Sequence, residues 1–190
     1  MKEIAYLAGG CFWCLQEKFD SLKGVLDTEV GYSGGKLKNP NYNKLSSGLS
    51  GYVETVKITF DPEIVSYEEL LIEFLSLIEP TNEFGQFCDI GSQYQPKIFY
   101  LHEKQKKIAH KLLSNLEESD IFSAPLKVKI EKFKNFYPAE PFHQRYYKRQ
   151  PKLYTFYFQN SGRLYHYKNI TPRVKEILKN KKAGLSRLDE

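Results

Sequence analysis

"KEIAYLAGGCFWCLQEKFDSL", residues 2–22, contains the change of period from which the architecture can be read. As far as Ala8 the stretch reads as a short strand, and beyond Gly9-Gly10 the apolar residues Phe12, Leu15, Phe19 and Leu22 recur at roughly helical spacing. Cys11 and Cys14 therefore fall at a strand-to-helix turn. Two of the three cysteines and the only tryptophan of the chain lie within these few positions.

The alternation continues outward. "GVLDTEVGYSGG", residues 24–35, predicts a second strand that runs into a long Gly-, Asn-, Ser- and Pro-bearing loop over residues 31–51, the kind of segment that often carries site residues. Residues 53–60 alternate as a strand with Val56, Ile58 and Phe60 on one face. Glu54 shares their parity, so the pattern points a carboxylate toward the core side. "SYEE" at residues 66–69 is a capping box, with Val65 and Leu70 placed as a hydrophobic staple, and the helix it opens stops at Pro80.

A second irregular loop, "TNEFGQFCDIGSQYQP" (residues 81–96), leads to a strand over residues 97–101 and a helix with Ile108, Leu112 and Leu116 inward. Leu126, Val128 and Ile130 alternate as a further strand. "PAEPFHQRYYKRQP" (residues 138–151) predicts a short helix between prolines, and Thr171-Pro172 a start for the last one. The class is α+β, a mixed β-sheet with flanking helices and long irregular loops.

With 190 residues, 41% hydrophobic and 27% charged, the chain fits one domain with a single core. It has neither a membrane-length apolar run nor a signal-peptide layout, so no membrane partner is expected and the cytoplasm is the expected compartment. The net charge of +5 is concentrated in residues 163–190, where eight Lys or Arg stand against three acidic residues. Few aromatics follow Tyr167 and no nucleic-acid motif is present, so a solvated basic helix is expected there and no nucleic acid is expected as partner. The odd cysteine count argues against a structural disulfide framework.

Cys11, where a helix begins, should be biased toward thiolate, from ~8.5 into the range of about 3.5–7.5 seen at helix N-termini. The C-x-x-C pair admits three uses. A metal site lacks a second ligand pair at zinc spacing. Two buried, inert thiols remain open, as does a redox-active pair, which the helix start and the glycines favour. Phe12 and Trp13 beside a nucleophile offer an apolar wall for a small alkyl group. Thiolate reduction of an S=O bond needs an acid at the oxygen, and a desolvated, protonated Glu54 fits; a solvent-facing residue at the strand end is the other reading of Glu54.

"GGCFWC", "GYSGG" with "NPNY", "SGLSGYVE", "FDPEIVSYEELL", "CDIGSQYQPKIFY" and "FYPAEPFHQRYY" together resemble the A-type peptide methionine sulfoxide reductases, in order and spacing, over roughly residues 3–168. The resemblance implies a ferredoxin-like core and a catalytic domain over residues 1–170; the basic end after Lys168 has no clear counterpart in the family, and the charge pattern alone predicts residues 171–190 as a basic, helical tail. It implies Cys11 as the nucleophile that becomes a sulfenic acid, Phe12 and Trp13 as the methyl pocket, and Glu54 as the acid. Tyr42 and Tyr94 match tyrosines that hydrogen-bond the sulfoxide oxygen, and Asp89 matches a buried carboxylate that helps organise the site.

The sulfenic acid then needs a second thiol. Many members have Gly at the position of Cys14 and a resolving cysteine in the tail, but residues 152–190 contain none. Cys14, in a subgroup reading CFWC, is the leading resolving residue, and Cys88 is its rival. No metal or bound cofactor is implied. Thioredoxin, or dithiothreitol in its place, would be the reductant, oxidised proteins and free methionine sulfoxide the substrates, and a separate B-type enzyme would serve the other epimer. Tyr52 stands where many relatives carry His, and "IEP" replaces a common His-Asp-Pro. His143 and Gln144 read as structural hydrogen-bonding residues.

Overall fold

The computed structural model describes residues 1–36 and 51–185. Tyr42 lies outside the described residues. The chain runs β1 (Glu3–Ala8), α1 (Phe12–Asp20), β2 (Val25–Ser33), β3 (Val53–Phe60), α2 (Tyr67–Leu77), a two-residue pair β4 (Gly85–Gln86) and β5 (Asp89–Ile90), β6 (Lys97–Tyr100), α3 (Glu103–Glu117), β7 (Lys129–Lys132) and β8 (Phe136–Pro138). Four helices follow: α4 (Tyr146–Arg149), α5 (Pro151–Asn160), α6 (Arg163–Asn169) and α7 (Thr171–Leu185).

The main sheet has six strands in the order β7-β6-β1-β3-β2-β8. Its middle, β6-β1-β3-β2, is antiparallel throughout and is reached by strand–helix–strand–strand–helix–strand connections, the split βαβ arrangement. β7 pairs parallel to β6 after the α3 crossover, which makes the sheet mixed.

Ala5 and Leu7 of β1 and Val56, Ile58 and Phe60 of β3 form one apolar cluster with Leu15 and Phe19 of α1, with α2, and with Ala109, Leu112 and Leu116 of α3. The expected parity of β3 holds, and it carries Glu54 to the same side. Ser66 caps α2 with the reciprocal Glu69 bond, so the segment before Pro80 starts as its sequence signature requires. Burial of Leu70, Leu71, Phe74 and Leu75 in α2 contributes about 1.5–3 kcal/mol per side chain.

Three departures have physical causes. The strand expected through Leu126 and Val128 begins only at Lys129, because β6 starts at its register partner Lys97 and offers no strand to the earlier residues. β8 is three residues long and too short to show a period. α7 is not wholly solvated: Val174 and Leu178, one turn apart, are fully buried in the core cluster, and Lys175 pairs with Glu73 of α2.

Candidate active site

β1 delivers the chain to the site through Gly10, whose φ of +84° is a left-handed conformation that side chains disfavour. A Cβ there would stand 2.6 Å from Cβ of Gln86 and 3.2 Å from Nη2 of Arg163. Cys11 follows as the N-cap of α1, with φ −56° and ψ 115°, and its carbonyl accepts the N–H of Cys14 at 3.2 Å. The Cys11 side chain caps nothing. The first free donor of the helix, the N–H of Phe12, donates instead to Oε2 of Glu54 at 3.0 Å. Glu54 is 3% exposed, and burial pushes its carboxyl well above the usual range, followed by the nearby Cys11; the Phe12 N–H opposes the shift only in part. Burial thus favours the protonated form of Glu54, the form that can act as an acid.

Cys11 and Cys14 are buried, reduced, and hydrogen-bonded to one another. The expected lowering of the Cys11 pKa is not what the resting site has. Burial holds the Cys11 thiol well above its ordinary value, with the Cys14 neighbour acting in the same sense and Arg163 against it. The physical reason is enclosure: the Cys11 thiol is buried and its side chain makes no cap bond to the helix start. Cys14 is shifted down despite its burial, because the Cys11 thiol, the Arg163 charge and the Tyr154 hydroxyl all favour its thiolate. Of the two thiols the inner one is therefore the more acidic.

The β4–β5 hairpin carries Asp89 to the opposite wall. Its Oδ2 accepts the Tyr157 hydroxyl at 2.6 Å and Nη2 of Arg163 at 2.7 Å, while Nη1 of Arg163 donates to the Tyr157 oxygen at 2.9 Å. Arg163 is only 1% exposed, and its guanidinium lies 4.7 Å from the centroid of the Phe87 ring. Neither Tyr157 nor Arg163 was a candidate from the sequence. Tyr157 is one of fourteen tyrosines, and the sole local sign of Arg163 is the Ser161-Gly162 step before it, where Gly162 takes φ +89°.

Trp13 is fixed by a bond from its Nε1 to Nδ1 of His143 at 3.2 Å and by stacking on Tyr146 at 3.9 Å. Gln144 ties the same segment to β2, accepting the Val30 N–H and donating to the Val30 carbonyl. These residues frame a cavity of about 170 Å³ lined by Cys11, Phe12, Trp13, Glu54, Asp89, Tyr94 and Tyr157. A larger recess of about 260 Å³ beside Glu3, Tyr67 and His102 contains no thiol, so the chemistry belongs to the smaller one. Of the sequence candidates, six line the cavity. Cys14 lies behind Cys11, and Cys88 is exposed at the hairpin tip, 3.8 Å from Oδ1 of Asp89. Among the described residues, no group of His, Cys, Asp and Glu is placed to hold a metal ion, and no helix is long and apolar enough to cross a membrane.

A buried thiol pair at a helix start, a desolvated carboxyl group in the cavity of the outer sulfur, and aromatic walls on an α+β scaffold define a thiol-dependent reductase of a small, oxygen-bearing, partly apolar group. The chain belongs to the peptide methionine sulfoxide reductase family, whose model matches residues 3–174, and it is of the A type. It is 48% identical over 162 residues to "Peptide methionine sulfoxide reductase MsrA 2" of Staphylococcus aureus (strain MW2), covering 85% of this chain and 92% of that one. It is 45% identical over 159 residues to the MsrA/MsrB protein of Vibrio cholerae, of which it spans 42%. Among solved structures, reduced Mxr1 of Saccharomyces cerevisiae matches with a TM-score of 0.74 and 26% identity over 80% of this chain and 87% of that one. Mxr1 has also been solved in complex with Trx2.

Proposed function

We propose that the protein reduces the S epimer of methionine sulfoxide, free or within proteins, and leaves the R epimer to a separate B-type enzyme. The observation that carries this reading is that Cys11 shares its cavity with a buried Glu54 that the Phe12 amide holds in place and whose protonated form burial favours. The sulfoxide methyl group packs against Phe12 and Trp13, and its oxygen receives hydrogen bonds from Glu54, Tyr94 and Tyr42. Cys11 passes its proton to the Cys14 thiolate and attacks sulfur, and Glu54 protonates the oxygen. Methionine leaves with two electrons, and Cys11 is left as sulfenic acid.

Asp89, charge-paired to Arg163 and bonded to Tyr157, holds the far wall against which the substrate packs. Cys14 resolves the sulfenic acid to a disulfide, in the manner of a CFWC subgroup, and Cys88 stands as the alternative. Thioredoxin, or dithiothreitol in its place, reduces that disulfide, and no bound cofactor takes part. Residues 1–170 carry the chemistry, the basic helix from Thr171 buttresses α2, and the setting is the cytoplasm, where thiols are kept reduced.

The test is turnover of each epimer with thioredoxin, thioredoxin reductase and NADPH, comparing wild type with Cys11→Ser, Cys14→Ser and Cys88→Ser. Cys11→Ser should be inactive, Cys14→Ser should release one equivalent of methionine and stall, and Cys88→Ser should turn over. Absence of S-epimer turnover by the wild type would overturn the reading, and full turnover by Cys14→Ser would move the resolving role to Cys88.

A further inference from the structure

Cys14 is 1% exposed and does not line the cavity that opens onto Cys11, so a proton on its sulfur has no direct path to that solvent. It packs in one buried cluster with Cys11 and Tyr154, and the Tyr154 hydroxyl favours its thiolate. Tyr154, on α5 and 5% exposed, also bonds Oε2 of Glu17 at 2.7 Å. Glu17 stands one turn after Cys14 on α1. Its side chain is about one-third exposed and lines a different recess, with Lys18, Asp20, Tyr147 and Lys148. A chain of contacts therefore runs from the inner sulfur, through one phenol, to a carboxylate in solvent.

We propose that Tyr154 and Glu17 form the proton exit of the resolving thiol. The proposal rests on the reading of Cys14 as the resolving residue. After the first step Cys14 holds the proton it took from Cys11, and it must lose that proton to attack. The thiol proton moves to the Tyr154 oxygen as the Tyr154 proton moves to the Glu17 carboxylate. The Cys14 thiolate then attacks the Cys11 sulfur, the S–S bond forms, and the S–OH bond breaks. Glu54, which gave its proton to the sulfoxide oxygen in the first step, takes another from the solvent of the cavity and passes it to the departing hydroxyl, which leaves as water. The sum is sulfenic acid plus thiol giving disulfide plus water, with Cys11 sulfur reduced by the electron pair of Cys14.

Burial and its two partners push the Tyr154 phenol far above its ordinary value, so it conducts the proton without holding the charge itself. The charged and titratable groups around the relay are Arg163, Asp89, Cys11, Tyr157 and Tyr167 near Cys14, and Lys18, Asp20, Tyr147, Tyr167 and Lys148 near Glu17. Lys18 is 3.9 Å from Glu17 and also lies over the Phe158 and Tyr167 rings, so it does not close the carboxylate off.

The experiment is a single turnover without reductant on the full chain, mixing enzyme with methionine S-sulfoxide and following methionine release and disulfide formation separately. In Tyr154→Phe and Glu17→Gln, methionine release should proceed while disulfide formation slows by about 10-fold or more at neutral pH. A sulfenic acid trapped by dimedone should accumulate. The defect should shrink as pH rises and solvent base replaces the relay, and Glu17→Asp should recover part of the rate. Methionine release in the same samples reports that each variant is folded, and Glu17→Gln, at the surface, guards against a packing defect in Tyr154→Phe. Wild-type disulfide rates and pH profiles in both variants would overturn the relay alone. Multiple turnover by Cys14→Ser would overturn it together with the resolving role.

Discussion

The backbone N–H of Phe12 donates to the side chain of Glu54 at 3.0 Å across forty-two residues of sequence. This bond does two things that a helix start normally does separately. It satisfies the first orphan donor of α1, and it fixes an acid next to the sulfur that precedes that donor. Burial sets the Cys11 thiol high, with Cys14 acting in the same sense, and Arg163 is the charge that opposes it.

Glu54→Gln keeps an acceptor for the Phe12 amide and removes only the transferable proton. Methionine formation in the first turnover should fall by about 10²–10⁴-fold, the usual worth of a positioned general acid, with substrate affinity little changed. The loss should be greatest at neutral pH and smaller in acid, where solvent supplies the proton. Rapid-quench measurement of methionine across pH checks this, and an undiminished rate would remove Glu54 as the acid.

The same carboxyl makes stability depend on pH with a defined sign. Its folded-state pKa is raised well above the ordinary value by burial, so the native state keeps a proton that the unfolded chain releases above about pH 4.3. The stabilising contribution is complete below that pH and is lost as pH rises toward the folded value, at up to about 1.4 kcal/mol per pH unit. Denaturant midpoints for wild type should fall relative to Glu54→Gln over that window. Parallel profiles for the two proteins would mean that Glu54 is ionised in the native state.

Arg163 and Asp89 make a charge pair whose side chains are 2% and 14% exposed. Removal of one partner leaves the other buried and uncompensated, so Arg163→Met or Asp89→Asn should each cost about 3–5 kcal/mol. The double variant should cost less than the sum of the two, by about 0.5–3 kcal/mol of coupling. Urea unfolding of the four proteins in the cycle measures it, and strict additivity would show that the pair acts as two independent groups.

The legibility of this site followed the physics of each residue. Glu54 was readable because strand parity decides which face a side chain takes, and β3 stays in unbroken register with β2 from Thr59 to Val53. α2 was readable because Ser66 and Glu69 write their capping geometry into local sequence. By contrast α5 spans "PKLYTFYFQN", rich in aromatic residues that favour strands, and only Pro151 at its first position signals a helix. Its hold on the fold comes from bonds to distant residues, Tyr154 to Glu17 and Tyr157 to Asp89. Such bonds have no period. The pKa of Cys11 was misjudged for the same reason: its burial comes from packing against distant residues such as Tyr154.

Gly10 tests how tightly that turn sets the chemistry. Gly10→Ala places a Cβ 2.6 Å from the Gln86 Cβ at a left-handed φ of +84°. Gln86 cannot yield easily, because its amide accepts the Glu79 N–H at 2.7 Å and donates to the Glu79 carbonyl at 2.8 Å. The backbone conformation alone should cost about 1–2 kcal/mol, before the contact is added. Tm should fall by roughly 2–4 °C per kcal/mol lost, as for a chain of this size. Relief of the contact by displacement of Cys11 should separate it from Glu54, so first-turnover methionine release should fall below what unfolding accounts for at a temperature where the variant is still folded. A variant with wild-type Tm and wild-type release would show that the turn tolerates a side chain and that the placement of Cys11 depends on the helix rather than on the glycine.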